Sequence, residues 1–384
     1  MSRAYACPAT WSSAVSDPAV IRLKPLPLVL RPRYQYMKQV MTTQSSTRAF
    51  FASSGDEALW EQARALREQY WGRSVFFRGI VEFSSYCERN CLYCGLRREN
   101  MALARYRLSP EEIFRAASDV HDLGIGTVVL QSGEDSFYDA RTVAALARRI
   151  KTELGLAVTL SLGERSTEEY ALWRAAGADR YLLKMETFLE ANFRFLRPDS
   201  SPAARAAAYA DLQKLGFECG NGIILGLPGE TGETDEADEA DETGGALAIH
   251  LAALQKLAPS MLAISPFIPH PDTPLADHPS PELPVILRAM ARARIALPSA
   301  HIPVTSALGL LGDDIRIKAL EVGDVLMPSL TPEQVRAGYS IYPGKNDSAE
   351  TPVSRAKRLM DAVARAGFAV PSGPAGRGDA WKAQ

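Results

Sequence analysis

Residues 78–94 read RGIVEFSSYCERNCLYC, a short apolar strand pattern followed at once by three closely spaced cysteines. The cysteines are Cys87, Cys91 and Cys94, and their spacing is C-x3-C-x2-C. Three thiols within so short a stretch are typical of metal ligation in a reducing compartment rather than of a disulfide framework. The stretch therefore predicts a metal centre at the end of a strand.

Seven further strand patterns follow the first one, and helical patterns separate nearly all of them. They cover residues 127–131, 157–162, 180–184, 218–225, 261–267, 301–306 and 324–327. Two helices begin with a capping-box pattern, Ser109 with Glu112 and Ser166 with Glu169. Parallel neighbours need a crossover between them, so this alternation predicts a parallel sheet. Eight units in one series predict a closed α/β barrel of the (β/α)8 TIM type. The alternative is a partial barrel of six units followed by an unrelated C-terminal region.

The domain boundaries follow from where this alternation begins and ends. Residues 1–46 are expected to be a disordered extension, or to precede a true start at Met37 or Met41. Residues 47–76 are expected to form an N-terminal helical lead-in, because apolar residues recur at helical spacing over 56–70. The barrel is expected over 77–370, and the end, 371–384, is expected to fray. The carboxylate-rich run at 230–242 is interpreted as a solvated loop or helix face rather than a metal site.

Composition excludes several classes of partner. The chain has 384 residues and a net charge of -2, which gives no electrostatic reason to bind nucleic acid or an anionic membrane. No uninterrupted apolar stretch approaches the roughly 20 residues that a membrane span needs. With its reduced cysteines, the protein is expected to be cytoplasmic.

The cysteine trio predicts a particular cofactor chemistry. Three thiolates on a [4Fe–4S] cluster leave one iron without a protein ligand, unlike an electron-transfer cluster with four. That iron can chelate the amino and carboxylate groups of S-adenosylmethionine (SAM). Transfer of one electron then breaks the S–C5′ bond and gives methionine and a 5′-deoxyadenosyl radical. The alternatives are a zinc knuckle without its fourth ligand, a set of buried thiols, or an iron–sulfur electron carrier.

Polar side chains at the ends of other predicted strands fit this chemistry. Gly133 lets the backbone approach a ligand closely, and Glu134 is suited to accept a hydrogen bond from the methionine ammonium. Further polar residues follow later strands: Ser161, Glu164, Lys184, Glu186, Thr305 and Ser306. Strand carboxyl ends are where barrel enzymes keep their active sites.

Several stretches resemble the radical SAM maturase of FeFe-hydrogenase, the HydE type. They are residues 82–98, 129–135, 160–164, 177–183, 196–199, 226–229, 266–275 and 342–345. The run PFIPHPDTPL at 266–275 is the most distinctive, and the resemblance extends from about residue 56 to 345. Biotin synthase and methylornithine synthase, of the same subgroup, share the cysteine trio and the barrel.

The resemblance implies a barrel that encloses a cavity with SAM at its top. SAM would be held by Tyr93, Ser132, Gly133, Glu134, Ser161, Glu186 and Arg205. The substrate cavity would be lined by Lys184, Met261, Thr305, Ser306, Met327 and Tyr342. The implied substrate is an organometallic iron species carrying CO, cyanide and cysteine, on its way to the hydrogenase H-cluster. The implied partners are a reduced ferredoxin or flavodoxin as electron donor, and other hydrogenase maturation proteins.

The chain departs from the family pattern at two of these positions. The family has Arg where this chain has Lys184, and Thr-Thr where it has Thr305-Ser306. Arginine and lysine are not interchangeable at a bidentate anion site. The alternative is therefore another radical SAM enzyme of the subgroup, acting on an amino acid or a sulfur-containing small molecule.

Overall fold

The computed structural model describes residues 54–230, 245–345 and 350–374. Nine strands lie in these ranges: β1 (Phe76–Phe77), β2 (Gly79–Ser84), β3 (Thr127–Ser132), β4 (Ala157–Ser161), β5 (Arg180–Leu182), β6 (Glu218–Leu225), β7 (Met261–Pro266), β8 (Pro303–Val304) and β9 (Val325–Leu326). All of their pairings are parallel.

Helices connect the strands on the outside. They are α1 (Ser54–Trp71), α2 (Pro110–Asp122), α3 (Ala140–Arg149), α4 (Thr167–Ala175), α5 (Glu190–Leu196), α6 (Pro202–Lys214), α7 (Ala246–Leu257), α8 (Leu283–Ala296), α9 (Ser306–Gly309), α10 (Asp313–Ala319), α11 (Glu333–Arg336) and α12 (Pro352–Arg365). A turn of π-helix, Ile150–Leu154, extends α3. Both predicted capping boxes are present, at the start of α2 and of α4.

The strands form a closed ring in two parts. One sheet has the order β2-β3-β4-β5-β6-β7 and the other the order β1-β9-β8. Single bridges join the two sheets, Ile80 with Ser329 at one seam and Met261 with His301 at the other. The prediction of a (β/α)8 barrel is confirmed, with the last strands completing the ring instead of forming an unrelated region.

The seams explain where strand prediction was least accurate. The predicted strands at 301–306 and 324–327 shorten to β8 and β9, each of two residues. The extra strand β1 pairs with β9 through Phe76 and Phe77 and was not predicted. A two-residue strand is too short to show a hydrophobic period, so the sequence carries no signal for it.

The strands are buried on both faces, as expected for a parallel sheet covered by helices. All six residues of β2 are buried, and so are the first four of β3. The N-terminal helix α1 is fixed to the outside by side-chain bonds. Asp56 accepts a 2.7 Å hydrogen bond from Arg288 of α8, and Trp60 donates one of 2.8 Å to Glu321.

Two expectations about polar or terminal segments differ from the structure. Glu230 is not a solvated member of the acidic run. It is buried, and two contacts compensate for the burial of its charge. Its carboxylate accepts a hydrogen bond from the backbone N–H of Gly226 at 2.8 Å and lies 3.3 Å from Nε2 of His250. At the other end, the carbonyl of Pro374 accepts hydrogen bonds from Thr127 and Arg180, so residues 371–374 are held rather than frayed.

The remaining expectations about segments fall outside the described residues. These are the disordered extension at 1–46, residues 231–242 of the acidic run, and residues 375–384. In the part of the chain that the structure describes, no helix is long and apolar enough to cross a membrane.

Candidate functional site

The carboxyl edge of the barrel gathers most of the predicted site residues. The cysteine loop follows β2, and the loops after β3, β4, β5, β8 and β9 bring their polar residues to the same edge, because parallel strands share a direction. The side chains at this edge are Ser132, Glu134, Ser161, Glu164, Lys184, Glu186, Thr305, Ser306 and Met327.

The three cysteines are free thiols at this edge. Cys91 is buried, and Cys87 and Cys94 are partly exposed. Burial raises the pKa of Cys87 to about 11, and burial together with the charges of Cys91 and Cys87 raises the pKa of Cys94 further. Iron binding must therefore displace a proton from these thiols. The backbone N–H of Glu134 donates to Sγ of Cys87 at 3.4 Å, a contact that suits a sulfur with negative charge.

The donor set fits an iron–sulfur cluster. Three thiols of one short loop are the ligand type that such clusters use. Among the described residues, no three His, Cys, Asp or Glu side chains surround the position of a single metal ion. The cysteines of a four-iron cluster each bind a different iron and need not lie around one point.

Two distant segments support the cysteine loop at Gly95. A Cβ on Gly95 would lie 2.1 Å from the carbonyl oxygen of Ser340 and 2.5 Å from the ring of His270. The N–H of Gly95 donates to the carbonyl of Ile341 at 3.0 Å, and His270 Nε2 lies 3.1 Å from the Ser340 hydroxyl. Only glycine permits this close approach. The conspicuous runs 266–275 and 342–345 thus lie in or beside segments that contact the loop after Cys94.

Glu134 is the centre of a group of charges beside Cys87. Its carboxylate lies 2.6 Å from Nε of Arg89, 3.5 Å from Arg197 and 3.6 Å from Arg205. Gly163 makes this position possible, because its backbone φ is +75° and a Cβ there would lie 2.0 Å from Cγ of Glu134.

Glu164 is the second carboxylate of this group. It accepts 2.7 Å and 2.8 Å hydrogen bonds from Arg205 and Ser200. Burial alone would raise the pKa of Glu164, but Arg205 and Ser200 hold this pKa below its ordinary value. Arg205 also donates from Nε to the carbonyl of Lys184 at 2.6 Å, so it links the group to the loop after β5.

Tyr93 of the cysteine loop is tied to the same charges. Its hydroxyl accepts a 2.9 Å hydrogen bond from Arg197, a buried side chain that also reaches Glu134. Arg89, Arg197, Arg205, Glu134 and Glu164 together form what we call the charge cluster. It holds three cations and two carboxylates, so it offers paired positive and negative positions to a zwitterion.

Lys184 and Glu186 form an ion pair after β5, with Nζ 2.9 Å from Oε2. Glu186 has a backbone φ of +68°, a left-handed conformation that is uncommon for residues other than glycine. Such strain is typical of positions fixed for function. The pair lies beside Arg205 through the carbonyl of Lys184.

A second polar group lies after β8. The hydroxyls of Ser306 and Tyr342 form a short hydrogen bond, and burial raises the pKa of Tyr342. The hydroxyl of Thr305 is buried, and it has no hydrogen-bond partner among the described residues. Met327 follows β9 at the same edge. These residues offer hydroxyl groups to a bound molecule.

Three further predicted residues are Ser132, Ser161 and Met261, and they lie at different places on the barrel. The Ser132 hydroxyl donates to the carbonyl of Gly133 at 2.6 Å, and Ser161 ends β4. Met261 is the first residue of β7, at the amino edge of the barrel, where its sulfur accepts a 3.3 Å hydrogen bond from Arg78. A cavity shared by Met261 and Tyr342 stays a prediction.

Sequence reasoning missed three residues of this site: Arg89, Arg197 and His270. Arg89 lies inside the cysteine spacing, and the other two lie inside stretches that carried the family resemblance. Their positions in those stretches were a usable signal. Their partners lie on other strands and emerge only in the fold.

Comparison with known proteins gives four findings. The model of the radical SAM superfamily matches residues 81–240. The HydE subunit of the FeFe-hydrogenase maturase from Thermotoga maritima is 44% identical over 76% of this chain and 80% of its own length. The 3-methylornithine synthase of Methanosarcina barkeri is 28% identical over 73% of this chain and 76% of its own length. The crystal structure of methylornithine synthase (PylB) superposes with a TM-score of 0.72 at 24% identity and covers 90% of this chain and 95% of that one.

Proposed function

The chain belongs to the radical SAM superfamily and, within it, to the family of the FeFe-hydrogenase maturase subunit HydE, and we propose that it is itself a maturase. Its substrate is an organometallic iron–cysteine precursor of the hydrogenase H-cluster. The observation that carries this proposal is the 44% identity to HydE over 80% of that protein.

Family membership implies a [4Fe–4S] cluster and SAM. Cys87, Cys91 and Cys94 are the ligands we assign to the cluster. When bound, the cluster supplies the electron that cleaves SAM. The N–H of Glu134 stabilises the charge on the Cys87 sulfur, and Gly95 lets the runs around His270 and Ser340 close over the loop.

The charge cluster holds the methionine end of SAM. Glu134 accepts a hydrogen bond from the amino group of SAM. Arg205 pairs with the carboxylate of SAM, since a guanidinium fork suits that group. Arg197 links this binding to Tyr93 and hence to the cysteine loop. Ser132, Gly133, Ser161 and Glu186 complete the SAM site.

The substrate occupies the barrel beyond SAM. Lys184 supplies a cation for a compact anionic iron complex, and Glu186 fixes its ammonium at 2.9 Å. The hydroxyls of Thr305, Ser306 and Tyr342 donate hydrogen bonds to the complex. Met327, at the carboxyl edge, supplies polarisable apolar surface.

The test is rescue of hydrogenase assembly in a host that lacks its own maturase. Lys184→Arg should retain or raise rescue, because it restores a two-donor cation. Lys184→Met should abolish rescue, but the SAM cleavage that occurs in the absence of substrate should stay intact. Absence of rescue by soluble, cluster-loaded protein, even as Lys184→Arg with Ser306→Thr, would refute the maturase function.

A second candidate is an enzyme of the same subgroup that acts on an amino acid or a sulfur-containing small molecule. The similarity to 3-methylornithine synthase and the lysine at position 184 favour it. Release of a modified small molecule, with no effect on hydrogenase, would support this candidate over the maturase.

The proposed partners are a reduced ferredoxin or flavodoxin and the other hydrogenase maturation proteins. The proposed compartment is the cytoplasm, which suits an oxygen-sensitive cluster and the four free cysteines in the described residues.

A further inference from the structure

His270 is held in one orientation and one tautomer beside the cysteine loop. The ring is buried, and its Nδ1 accepts a 3.1 Å hydrogen bond from the backbone N–H of Asp272. A ring nitrogen that accepts a hydrogen bond carries no proton, so the proton of the imidazole lies on Nε2. Burial also lowers the pKa of His270, which favours the neutral ring. Nε2 of His270 is therefore a donor.

This donor begins a chain of hydrogen bonds with a fixed direction. Nε2 of His270 lies 3.1 Å from the hydroxyl oxygen of Ser340, which accepts the bond. The hydroxyl proton of Ser340 is then left for the carbonyl of Tyr342, at 3.5 Å. The chain thus fixes the ring of His270 to the segment at 340–345.

The same edge of the ring lies against the residue that follows Cys94. A Cβ on Gly95 would lie 2.5 Å from Cδ2 and 2.6 Å from Nε2 of His270. The N–H of Gly95 donates to the carbonyl of Ile341 at 3.0 Å, so the 340–345 segment holds this glycine as well. His270 is therefore packed between the backbone next to Cys94 and the side chain of Ser340.

The three cysteines of the loop are supported by different parts of the barrel. The sulfur of Cys87 accepts the N–H of Glu134, after β3. Leu92, which follows Cys91, donates at 2.9 Å to the carbonyl of Leu196 at the end of α5. The third cysteine is the one whose neighbour lies against the histidine. Loss of the histidine should therefore move this ligand more than the other two.

The 340–345 segment also carries part of the proposed substrate cavity. The hydroxyl of Tyr342 bonds that of Ser306, after β8. Lys345 pairs at 2.7 Å with Glu82 on β2, the strand that leads into the cysteine loop. The histidine thus connects the loop of the cluster with the segment that presents Tyr342.

We propose that His270 is a positioning residue that fixes Cys94, and with it the [4Fe–4S] cluster, relative to the Tyr342 side of the substrate cavity. Both ring nitrogens are engaged by protein groups, so His270 acts through Gly95 and Ser340 and is not a cluster ligand. The inference rests on the proposed function, because it takes Cys94 as a ligand of the cluster and Tyr342 as a residue of the substrate cavity.

The first measurement uses the full chain without iron and iodoacetamide as the probe. Mass spectrometry of the cysteine peptides gives the alkylation rate of each thiol. His270→Leu should raise the rate at Cys94 by about tenfold, the scale of losing one hydrogen bond. The rates at Cys87 and Cys219 should stay unchanged. His270→Gln should keep the wild-type rate, because a glutamine amide can donate where Nε2 does.

The second measurement uses the reconstituted protein. The electron paramagnetic resonance spectrum of the reduced cluster without SAM should change in His270→Leu but not in His270→Gln, because a displaced sulfur of Cys94 alters the surroundings of one iron. The kcat of dithionite-driven SAM cleavage should fall by about tenfold in His270→Leu, whereas the Kd of SAM should stay near wild type. Ser340→Ala should act in the same direction, and the double variant should go no further than His270→Leu.

His278→Leu is the matched control. His278 lies in the same connection after β7, and its Nε2 also donates to an oxygen, the carbonyl of Gly226 at 3.0 Å. It should change neither the alkylation of Cys94 nor the spectrum of the cluster.

A wild-type alkylation rate of Cys94 in His270→Leu would overturn the proposal. Equal increases at Cys94 and Cys219 would overturn it too, because they would show a general loss of packing. The same holds if His270→Gln or His278→Leu matches the effect of His270→Leu. Because alkylation of the iron-free chain needs neither SAM nor substrate, failure of this inference is distinguishable from failure of the proposed function.

Discussion

Gly163 and Glu134 stand in direct contact: a Cβ on Gly163 would lie 2.0 Å from Cγ of Glu134. Gly163→Ala should therefore displace the carboxylate and weaken SAM binding by about tenfold, or ~1.4 kcal/mol. Calorimetric titration of SAM into the reconstituted protein measures this.

Gly155→Ala is the control for backbone strain. Gly155 has a φ of +66°, close to the +75° of Gly163, but nothing lies within 4 Å of its ideal Cβ. Gly155→Ala should lose about 1 kcal/mol of folding stability, because an L residue disfavours this conformation. Gly163→Ala should lose at least as much, because Glu134 must also move. Equal SAM affinity in the two variants would show that Glu134 does not hold SAM.

Arg205 provides a second test of the SAM site. Arg205→Ala should weaken SAM binding by about 1–3 kcal/mol, the scale of a charge-assisted hydrogen bond. The spectrum of the cluster without SAM should stay unchanged. Arg194→Ala, which removes an exposed ion pair with Glu190, is the control. It should change neither the SAM affinity nor the spectrum of the cluster. Loss of the cluster in Arg205→Ala, without a specific effect on SAM, would make Arg205 structural.

A buried ion pair joins strand β2 to the C-terminal segment. Nζ of Lys345 lies 2.7 Å from Oε1 of Glu82, and both side chains are buried. Lys345→Met should cost about 3–5 kcal/mol of unfolding free energy, because it leaves a buried carboxylate without its counter-ion. Urea denaturation measures the loss. The double variant Lys345→Met with Glu82→Gln should recover much of it, and a double variant no more stable than Lys345→Met alone would show that the pair is not the cause.

The same carboxylate gives a pH dependence. Burial alone would raise the pKa of Glu82, but Lys345 and the hydroxyls of Ser329 and Thr331 hold this pKa below its ordinary value. A lowered pKa means that the unfolded chain binds the proton more readily. The stabilisation is therefore present above the unfolded pKa of about 4.3 and is lost as the pH falls below it.

Urea midpoints of the apoprotein between about pH 3 and 6 test this dependence. The wild type should lose more stability on acidification than the double variant Glu82→Gln with Lys345→Met, which lacks the titrating group. Parallel profiles for the two proteins would contradict the assignment.

Much of the fold could be predicted because local patterns agree with it. The capping boxes at Ser109 and Ser166 form as predicted, and β6 spans the residues expected of it. The barrel seams could not be predicted. They rest on two-residue strands and on single bridges such as Ile80 with Ser329, which leave no periodic pattern in the sequence.

Site residues could be predicted where they directly follow a strand that the sequence reveals. Cys87 and Glu134 were identified because each follows a recognisable strand. Arg197 was not, because its partners, Tyr93 and Glu134, lie on loops after other strands. Glu230 was misjudged for the same reason: composition describes a charge run, but the N–H groups that bury this carboxylate are set by the turn at Gly226.

The most direct test of the central claim is the iron content and SAM cleavage of anaerobically reconstituted protein. Wild type should hold about four irons per chain and cleave SAM with dithionite, and Cys91→Ala should lose both. Cys219→Ala is the matched control. Cys219 is a buried thiol on β6 whose sulfur contacts the Phe217 carbonyl at 3.4 Å, so its loss should leave iron content and cleavage intact. An iron content of about eight atoms per chain, or full SAM cleavage by Cys91→Ala, would contradict a single cluster held by Cys87, Cys91 and Cys94.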